Sequence, residues 1–341
     1  MRHAYGLMPG VLEEWHRQGL PLSVRTDEEV SQYFGFPARP HPLPIRIGPD
    51  PPIDARVIEE TETYRIAIDG WGRRTKLMKA ITTLPQVMEF PIREPADWEF
   101  YRDRLRPTPD RVGSNIADVA ERNRREGHVN MFASVGFYWF PRDLVGDETL
   151  GIWYYEHPDL VHEMNDTWCT LIEQALTSVL ERTPLDAIHL AEDMAYRNAS
   201  MIGPHTFDEF LEPYYLRIKS IIDRYEVPVF SVDTDGCLNE LIHWFSACGV
   251  NIIGPNEVQA GNDVVAYRRV FGRTMAFDGG LDKRELIYGR DRIDAMLENT
   301  IPFLKETGGG WVICLDHRVI PGTPLADFEY YLRRARELAR M

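Results

Sequence analysis

From about residue 129 onward, short apolar runs alternate with longer stretches in which apolar residues recur every three or four positions. The short runs predict buried strands, and the longer spacing predicts amphipathic helices. Such alternation is typical of parallel strands joined by right-handed crossovers. The predicted strands are residues 129–136, 187–191, 227–232, 250–253, 274–277 and 311–315, and clear helical spacing covers residues 207–224, 238–248 and 292–306.

Six such units predict an α/β fold, a (β/α)8 TIM-type barrel to which the upstream chain supplies one or two further strands. A doubly wound open sheet is the alternative. No G-x-G-x-x-G follows any predicted strand, which removes the commonest cofactor signature of that alternative. We therefore favour the barrel and expect its chemistry at the carboxyl ends of the strands.

The chain up to about residue 110 is rich in proline and turn residues. Residues 37–44 and 48–52 hold too many prolines for a helix or a central strand. We predict that residues 1–110 form an irregular cover that is part of the barrel domain. Residues 111–341 then form the barrel body and carry the active site.

A hairpin is predicted within this cover region. Residues 62–68 have the pattern of a strand, Asp69-Gly70-Trp71-Gly72 that of a turn, and residues 73–79 that of a returning strand. The hairpin is expected to lie over the larger body rather than to form an enzyme by itself.

Composition and charge narrow the range of partners. The 341 residues carry 38 Lys and Arg against 53 Asp and Glu, a formal net charge of -15. Nucleic acids and anionic membranes attract a positive field, so neither is an expected partner. No apolar run approaches the roughly 20 residues that span a bilayer. The N-terminus also lacks the pattern of a signal peptide.

Cysteine usage indicates a reducing compartment. The four cysteines form no C-x-x-C pair, and four in a chain of this length are not a disulfide framework. We therefore expect a cytoplasmic protein with reduced thiols. A homodimer is compatible with the sequence.

Five successive predicted strand ends carry acidic residues, and the last adds a histidine. Asp and Glu also cap helices, so each carboxylate taken alone has a structural explanation. Together, however, these residues converge on one barrel mouth. We predict catalytic roles for Glu192, Asp193 and Glu257, and a substrate-binding role for Asp278.

A metal site is one way to hold so many carboxylates together, because close carboxylates repel one another unless a cation lies between them. Asp233-x-Asp235 and a remote His317 provide donors that zinc accepts, and a catalytic zinc keeps one position open. We therefore predict a metal site, with zinc as the expected ion, formed from Asp233, Asp235 and His317.

Aromatic and basic residues also follow the predicted strands. Tyr138 and Trp139 carry polar atoms on apolar rings, which suits a pocket for an aromatic or otherwise apolar substrate. Arg142 and Arg318 supply positive charge next to the acidic residues. We predict that these four residues bind the substrate.

Short motifs occur along the chain in a distinctive order. They are Gly19-Leu20-Pro21, Asp69-Gly70-Trp71-Gly72, Gly146-Asp147-Glu148, Glu192-Asp193-Met194, Gly203-Pro204, Asp233-x-Asp235-Gly236, Phe277-Asp278-Gly279-Gly280-Leu281-Asp282 and Pro321-x-x-Pro324-Leu325. In their order and spacing the chain resembles the uroporphyrinogen decarboxylase superfamily, which includes the decarboxylase and zinc-dependent, corrinoid-linked methyltransferases. The resemblance covers most of the chain. It implies a (β/α)8 barrel with its cleft at the carboxyl ends of the strands.

The superfamily does not fix the reaction. The decarboxylase is similar in fold but carries an M-R-Q-A-G-R-Y motif whose arginines bind the carboxylates of its substrate. Residues 1–7 of this chain read M-R-H-A-Y-G-L and keep only the first arginine. A ring of acidic residues also suits a substrate with eight carboxylates poorly.

The thiol-methylating branch uses an H-x-C motif and a later cysteine as zinc ligands. The matching positions here, Asp233-x-Asp235 and then Asp316 or His317, would supply harder ligands. The sequence looks most like divergent members found beside corrinoid O-demethylase systems. Relatives also place a first barrel strand before residues 15–21. Here an upstream hairpin or a partner chain replaces that strand, or the start is truncated.

The resemblance therefore implies methyl transfer from a small methoxylated substrate, such as an aromatic ether, to a corrinoid (cobalamin) on a separate partner protein. The metal would act as a Lewis acid on the ether oxygen. Glu192 or Glu257 would protonate the leaving oxygen. The alternatives are a cofactor-free decarboxylase and a non-catalytic barrel that binds a small ligand.

Overall fold

The computed structural model describes residues 5–80 and 84–340, which contain two separate sheets. The N-terminal sheet has four antiparallel strands in the order β1-β2-β3-β4. They are β1 Arg56–Glu60, β2 Tyr64–Ile68, β3 Arg74–Met78 and β4 Gln86–Glu89. The predicted hairpin is confirmed as β2 and β3. The sequence analysis missed the two outer strands.

The second sheet has six parallel strands in the order β10-β9-β8-β7-β6-β5. They are β5 Met131–Val135, β6 Ala187–Ala191, β7 Val229–Asp233, β8 Ile252–Gly254, β9 Ala276–Asp278 and β10 Trp311–Val312. Each coincides with one of the six predicted strands to within a few residues. The predicted α/β fold with parallel strands in sequence order is confirmed.

Thirteen α-helices occur among the described residues. They are α1 Val11–Arg17, α2 Asp27–Tyr33, α3 Trp98–Arg104, α4 Ile116–Arg125, α5 Trp139–Val145, α6 Asp147–Glu156, α7 Pro158–Leu180, α8 Pro204–Phe210, α9 Glu212–Tyr225, α10 Leu241–Ala247, α11 Val264–Phe271, α12 Arg290–Glu306 and α13 Leu325–Arg340. None of these combines the length and the apolar character that a membrane-spanning helix requires.

Isolated parallel bridges extend the pairing of β9 with β10 and place a further segment beside the chain that follows β10. Leu281 pairs with Leu315, and Leu7 pairs with Val319, so the N-terminal segment lies beside the last part of the sheet. Strand β5 pairs with β6, and no pairing on its other edge occurs within residues 5–80 and 84–340. The TIM-type architecture is present in these six strands, whereas closure into an eight-stranded barrel stays a prediction.

The apolar core forms two clusters. The larger one lies around the parallel sheet and helices α3 to α11. The smaller one joins the N-terminal helices α1 and α2 to α12 and α13. Both ends of the described chain therefore pack together. The boundary predicted at residue 110, between the cover region and the barrel body, stays a prediction. The part of the decarboxylase-like motif in residues 1–4 lies outside the described residues.

Candidate active site

The loops that follow the parallel strands bring three groups of charged side chains together. The groups are Arg142 with Asp193, Asp235 with His317, and Glu257 with Lys283 and Asp316. They interact electrostatically with one another. Burial is the main cause of the raised pKa of Asp193, and the charge of Asp235 adds to it; the hydrogen bond to Asp235 is the main cause of the raised pKa of His317, and the charge of Glu257 adds to it. The three groups form one site at the carboxyl ends of the strands.

The first group is built on helix α5. Arg142 donates to the backbone carbonyl of Asp193, and its Nη2 lies 3.3 Å from Oδ2 of the same residue. The guanidinium lies over the rings of Trp139, at 4.8 Å, and Tyr138, at 5.7 Å. Burial raises the pKa of Asp193, and Arg142 opposes that rise. Three predicted substrate-binding residues and one predicted catalytic residue are thus in contact.

The hydroxyl of Tyr138 is also held in place. It donates to Asp147 Oδ1 at 3.0 Å and contacts the Met201 sulfur at 3.3 Å. Burial, and then the charge of Asp147, raise the pKa of Tyr138. The phenol therefore stays protonated at neutral pH and serves as a positioned hydrogen-bonding group.

The second group pairs a histidine with a carboxylate. His317 Nε2 lies 3.4 Å from Asp235 Oδ2, and the Tyr5 ring stacks on the imidazole with centroids 6.3 Å apart. The hydrogen bond to Asp235 raises the pKa of His317; burial opposes this rise, and so does the charge of Lys283. The hydrogen bond with Asp235 therefore favours the imidazolium form of His317.

The third group centres on a buried lysine. Lys283 Nζ lies 3.3 Å from Glu257 Oε1 and 3.3 Å from Asp316 Oδ1, and its side chain is only 7% exposed. Burial raises the pKa of Asp316, whereas the charge of Lys283 lowers it. One ammonium thus separates two carboxylates that would otherwise repel each other.

Backbone contacts extend this network across neighbouring loops. Asp316 accepts the Val258 N–H at 2.9 Å and the Lys283 N–H at 3.1 Å. Glu257 accepts the Gly236 N–H at 3.1 Å. Gly236 has a φ of 84°, and a Cβ there would lie 2.5 Å from the Ala195 carbonyl oxygen, so only glycine fits. The loops after β7, β8, β9 and β10 are therefore joined.

Glu192 does not lie on the cleft. Its side chain is fully buried, and its two oxygens accept the backbone N–H groups of Phe137, Tyr138 and Trp139 at 2.8 to 3.0 Å and the Tyr215 hydroxyl at 2.6 Å. Burial raises the pKa of Glu192, and the four donors oppose that rise. This geometry does not suit the proton-donor role predicted for Glu192, because both oxygens are occupied.

Three other predicted residues are spread around the site. Asp233 and Asp278 line a cavity of about 700 Å³ against one face of the parallel sheet, where His189 Nδ1 lies 2.9 Å from Ser231 Oγ. Arg318 Nη1 points instead toward the N-terminal segment and lies 3.7 Å from Asp27 Oδ2. Arg318 therefore pairs outside the three charged groups, whereas Arg142 belongs to one of them.

The predicted zinc ligands do not fit a metal centre. Zinc needs three or four donor atoms at about 2.0–2.3 Å from one point. Asp235 and His317 contact each other, whereas Asp233 lines the cavity against the sheet. Across residues 5–80 and 84–340, no cluster of three or more His, Cys, Asp or Glu side chains is arranged to hold a metal ion.

Lys283 is the site residue that the sequence analysis missed. It follows directly after the motif that ends at Asp282, at a strand end already noted for its acidic residues. The available signal was that repelling carboxylates require a cation. On that argument the sequence analysis predicted arginines and a metal ion as the compensating cations. In the structure, Lys283 lies between the carboxylates of Glu257 and Asp316.

Comparisons with known proteins agree with this architecture. The family model for Uroporphyrinogen decarboxylase (URO-D) matches residues 84–338, which is more than half of the chain. The uroporphyrinogen decarboxylase of Schizosaccharomyces pombe is 23% identical over 259 residues, covering 69% of this chain and 68% of that protein. A methyltransferase from Methanosarcina mazei superposes with a TM-score of 0.61 at 17% identity, covering 99% of this chain and 93% of that chain. At this identity the likeness is one of fold. The chain belongs to the uroporphyrinogen decarboxylase family.

Proposed function

We propose that the protein is a methyltransferase that moves a methyl group from a small methoxylated molecule to a corrinoid carried by a partner protein. The observation that carries this proposal is the Asp235–His317 pair at the site. Breaking a carbon–oxygen bond leaves an electron pair on the oxygen. A proton from the His317 imidazolium neutralises that oxygen as the methyl carbon bonds to the corrinoid nucleophile.

The other residues of the site bind and orient. Asp235 holds the imidazole in place and favours its charged form. Arg142 and the ring of Trp139 beside it form a surface for the non-reacting part of the substrate. Glu257 holds the loop after β8 in place, because its carboxylate already binds the Lys283 ammonium and the Gly236 N–H.

Decarboxylation is the second candidate, and the family match favours it. Arg142 would bind a substrate carboxylate, and His317 would protonate the carbon that loses carbon dioxide. The charge of the site argues against a substrate with many carboxylates, because the four carboxylates of Asp193, Asp235, Glu257 and Asp316 outnumber the three cations Arg142, His317 and Lys283.

The test measures methyl transfer from a panel of methoxylated compounds to cob(I)alamin, followed by the absorbance of methylcobalamin. Activity should fall at least a hundredfold in His317→Gln, in line with the usual contribution of a general acid. Asp235→Asn should lower the pH at which activity is lost. Full activity in His317→Gln would refute the assigned acid, and carbon dioxide release without methylcobalamin would favour decarboxylation.

A further inference from the structure

A groove of about 690 Å³ lies beside helix α1, and none of the residues of the three charged groups lines it. Its walls come from α1 and the turn before it, from Lys79 and Ala80 after β3, and from Arg318. We call this space the α1 groove. Its charged lining residues are Arg17, Arg25, Lys79 and Arg318, together with Glu13, Glu14 and Asp27.

Two of the three carboxylates in the α1 groove already bind other parts of the protein. Glu14 Oε2 accepts the Gly322 N–H at 2.8 Å, and Asp27 Oδ1 accepts the Leu7 N–H at 3.2 Å. Asp27 Oδ2 also lies 3.7 Å from Arg318 Nη1. These contacts hold together the chain segments that form the groove.

Two arginines of the α1 groove have no carboxylate partner. Within the part of the chain that the structure describes, neither Arg17 nor Arg25 forms an ion pair within 4.0 Å. Arg25 Nε donates to the Leu22 carbonyl at 3.2 Å, whereas Lys79 Nζ lies 2.8 Å from Glu60 Oε1. Like charges in one groove repel each other unless an anion lies between them. The groove therefore offers two guanidinium groups to a ligand of opposite charge.

The chemistry of the lining defines the class of that ligand. Guanidinium groups bind carboxylates and phosphates through paired N–H donors. Leu7, Met8 and Leu12 add an apolar surface for a short carbon skeleton. We propose that the α1 groove binds a small organic dianion, a phosphate ester or a dicarboxylate, through Arg17 and Arg25. This site lies apart from the proposed methyl transfer and does not depend on it.

The α1 groove is joined to the charged site through two paired segments. Residues 6–8 pair with Val319 through backbone hydrogen bonds of 2.8 and 2.9 Å. Tyr5, which precedes the first segment, stacks on His317, and Arg318 in the second segment follows His317 directly. A dianion bound in the groove should therefore restrain both segments next to His317.

The test measures binding of inorganic phosphate and of succinate to the full chain by titration calorimetry at constant ionic strength. One anion should bind per chain, and an equal ionic strength of sodium chloride serves as the control for screening. Arg17→Gln and Arg25→Gln should each weaken binding by roughly tenfold or more, the usual effect of losing a hydrogen bond to a charged group. Tighter binding of phosphate would identify a phosphate ester, and tighter binding of succinate a dicarboxylate.

Two further variants separate a built site from general attraction to surface charge. Ala80→Glu adds a carboxylate to the groove without removing a cation, and it should abolish binding. Arg106→Gln removes an arginine that is 71% exposed outside the groove and should leave binding unchanged. Absence of saturable binding by both anions, or equal affinities in Arg25→Gln and Arg106→Gln, would overturn the inference.

Hydrogen exchange tests the link to the charged site. Exchange in residues 6–8 should slow when the tighter of the two anions is bound to the native chain, and it should not slow in Ala80→Glu. Unchanged exchange in residues 6–8 of the native chain at saturating anion would refute the restraint of these segments.

Discussion

At the scale of single residues, the neighbours of each ionisable group decide what it can do. Glu192 and His317 both follow strands of the parallel sheet. Four donors surround the Glu192 carboxylate in a fully buried position, whereas His317 meets one carboxylate at a partly exposed edge. Only the second arrangement leaves a proton available to a substrate.

The Asp235–His317 pair should make stability depend on pH. The pKa of His317 is raised in the folded protein, so the pair adds stability below the unfolded pKa of about 6.5, and this gain vanishes as pH rises through the folded value. Asp235→Asn should therefore lower the free energy of unfolding at about pH 5.5 and change it little at about pH 9. With the side chains 29% and 43% exposed, screening limits the loss to about 1 kcal/mol. Urea unfolding at both pH values measures it.

The pH experiment needs a control, because other charged groups near His317 also affect its pKa. Glu257 and Lys283 also act on the imidazole, with opposite signs, and both remain in Asp235→Asn. Asp223→Asn removes one partner of the more exposed Lys219–Asp223 pair and should show no such change between the two pH values. Equal losses at both pH values in Asp235→Asn would contradict the coupling to His317.

Lys283→Met should destabilise the protein strongly. The substitution leaves Glu257 and Asp316 close together without their shared cation, and breaking a buried ion pair costs roughly 3–5 kcal/mol. Urea unfolding gives the free energy directly. Lys219→Met removes a lysine from the surface pair with Asp223 and should cost less than about 1 kcal/mol. Similar values for the two variants would refute the role assigned to Lys283.

The sequence predicted the place of the site better than its internal contacts. Asp193, Asp235, Glu257 and His317 do lie at neighbouring strand ends, because parallel strands direct their carboxyl ends to one edge. Whether a carboxylate faces the cleft or the interior depends on local turns. The positive φ of Asp193, at 42°, is one such detail that no pattern of residue types reveals.

At the scale of elements, a buried carboxylate fixes the start of a short helix. Helix α5 has seven residues, and its first turn has no side-chain cap from a neighbouring residue in sequence. Glu192, at the end of the adjacent strand, accepts the N–H groups there instead. The helix that carries Arg142 is thus positioned by the sheet.

Glu192→Ala should accordingly disrupt α5. It leaves three backbone N–H groups and the Tyr215 hydroxyl without their buried acceptor, for an expected loss of roughly 3–5 kcal/mol. Chemical denaturation measures the loss, and Glu163→Ala, which removes an exposed partner of Arg102, is the control. A loss below about 1 kcal/mol would show that α5 does not depend on this contact.

Elements with strong periodicity were predictable, and their interruptions were not. The single helix predicted over residues 207–224 is two helices, α8 and α9, which meet at Leu211. Pro213 lies in the first turn of α9, where the missing N–H is tolerated. The apolar spacing continues across this break, which explains why periodicity alone gave one helix.

At the scale of the whole molecule, the two ends of the described chain share a core. Trp15 on α1 is fully buried, packs on Phe328 of α13 with centroids 4.8 Å apart and donates to the Thr323 carbonyl at 2.9 Å. The sequence analysis treated the N-terminal region as a cover over the barrel. Contacts that join residues some three hundred positions apart leave no local sequence signal.

Trp15→Ala should loosen α13 as well as α1. Removing a buried tryptophan lowers the free energy of unfolding by roughly 3–5 kcal/mol, and α13 would line part of the cavity that the missing side chain leaves. Hydrogen exchange should accelerate in Leu325–Arg340 and much less in strands β6 and β7. Leu22→Ala, at an exposed position, is the control. Unchanged exchange in α13 would contradict the shared core.

The lysine network has a consequence for redesign of the site. Lys283 and its two carboxylates join the loops that follow four consecutive strands, so these loops form a single mechanical unit. A graft that replaces one of the four loops removes an anchor of the others. Changes of substrate range are therefore easier to introduce through α5, which lies outside this unit, than through any one of the joined loops.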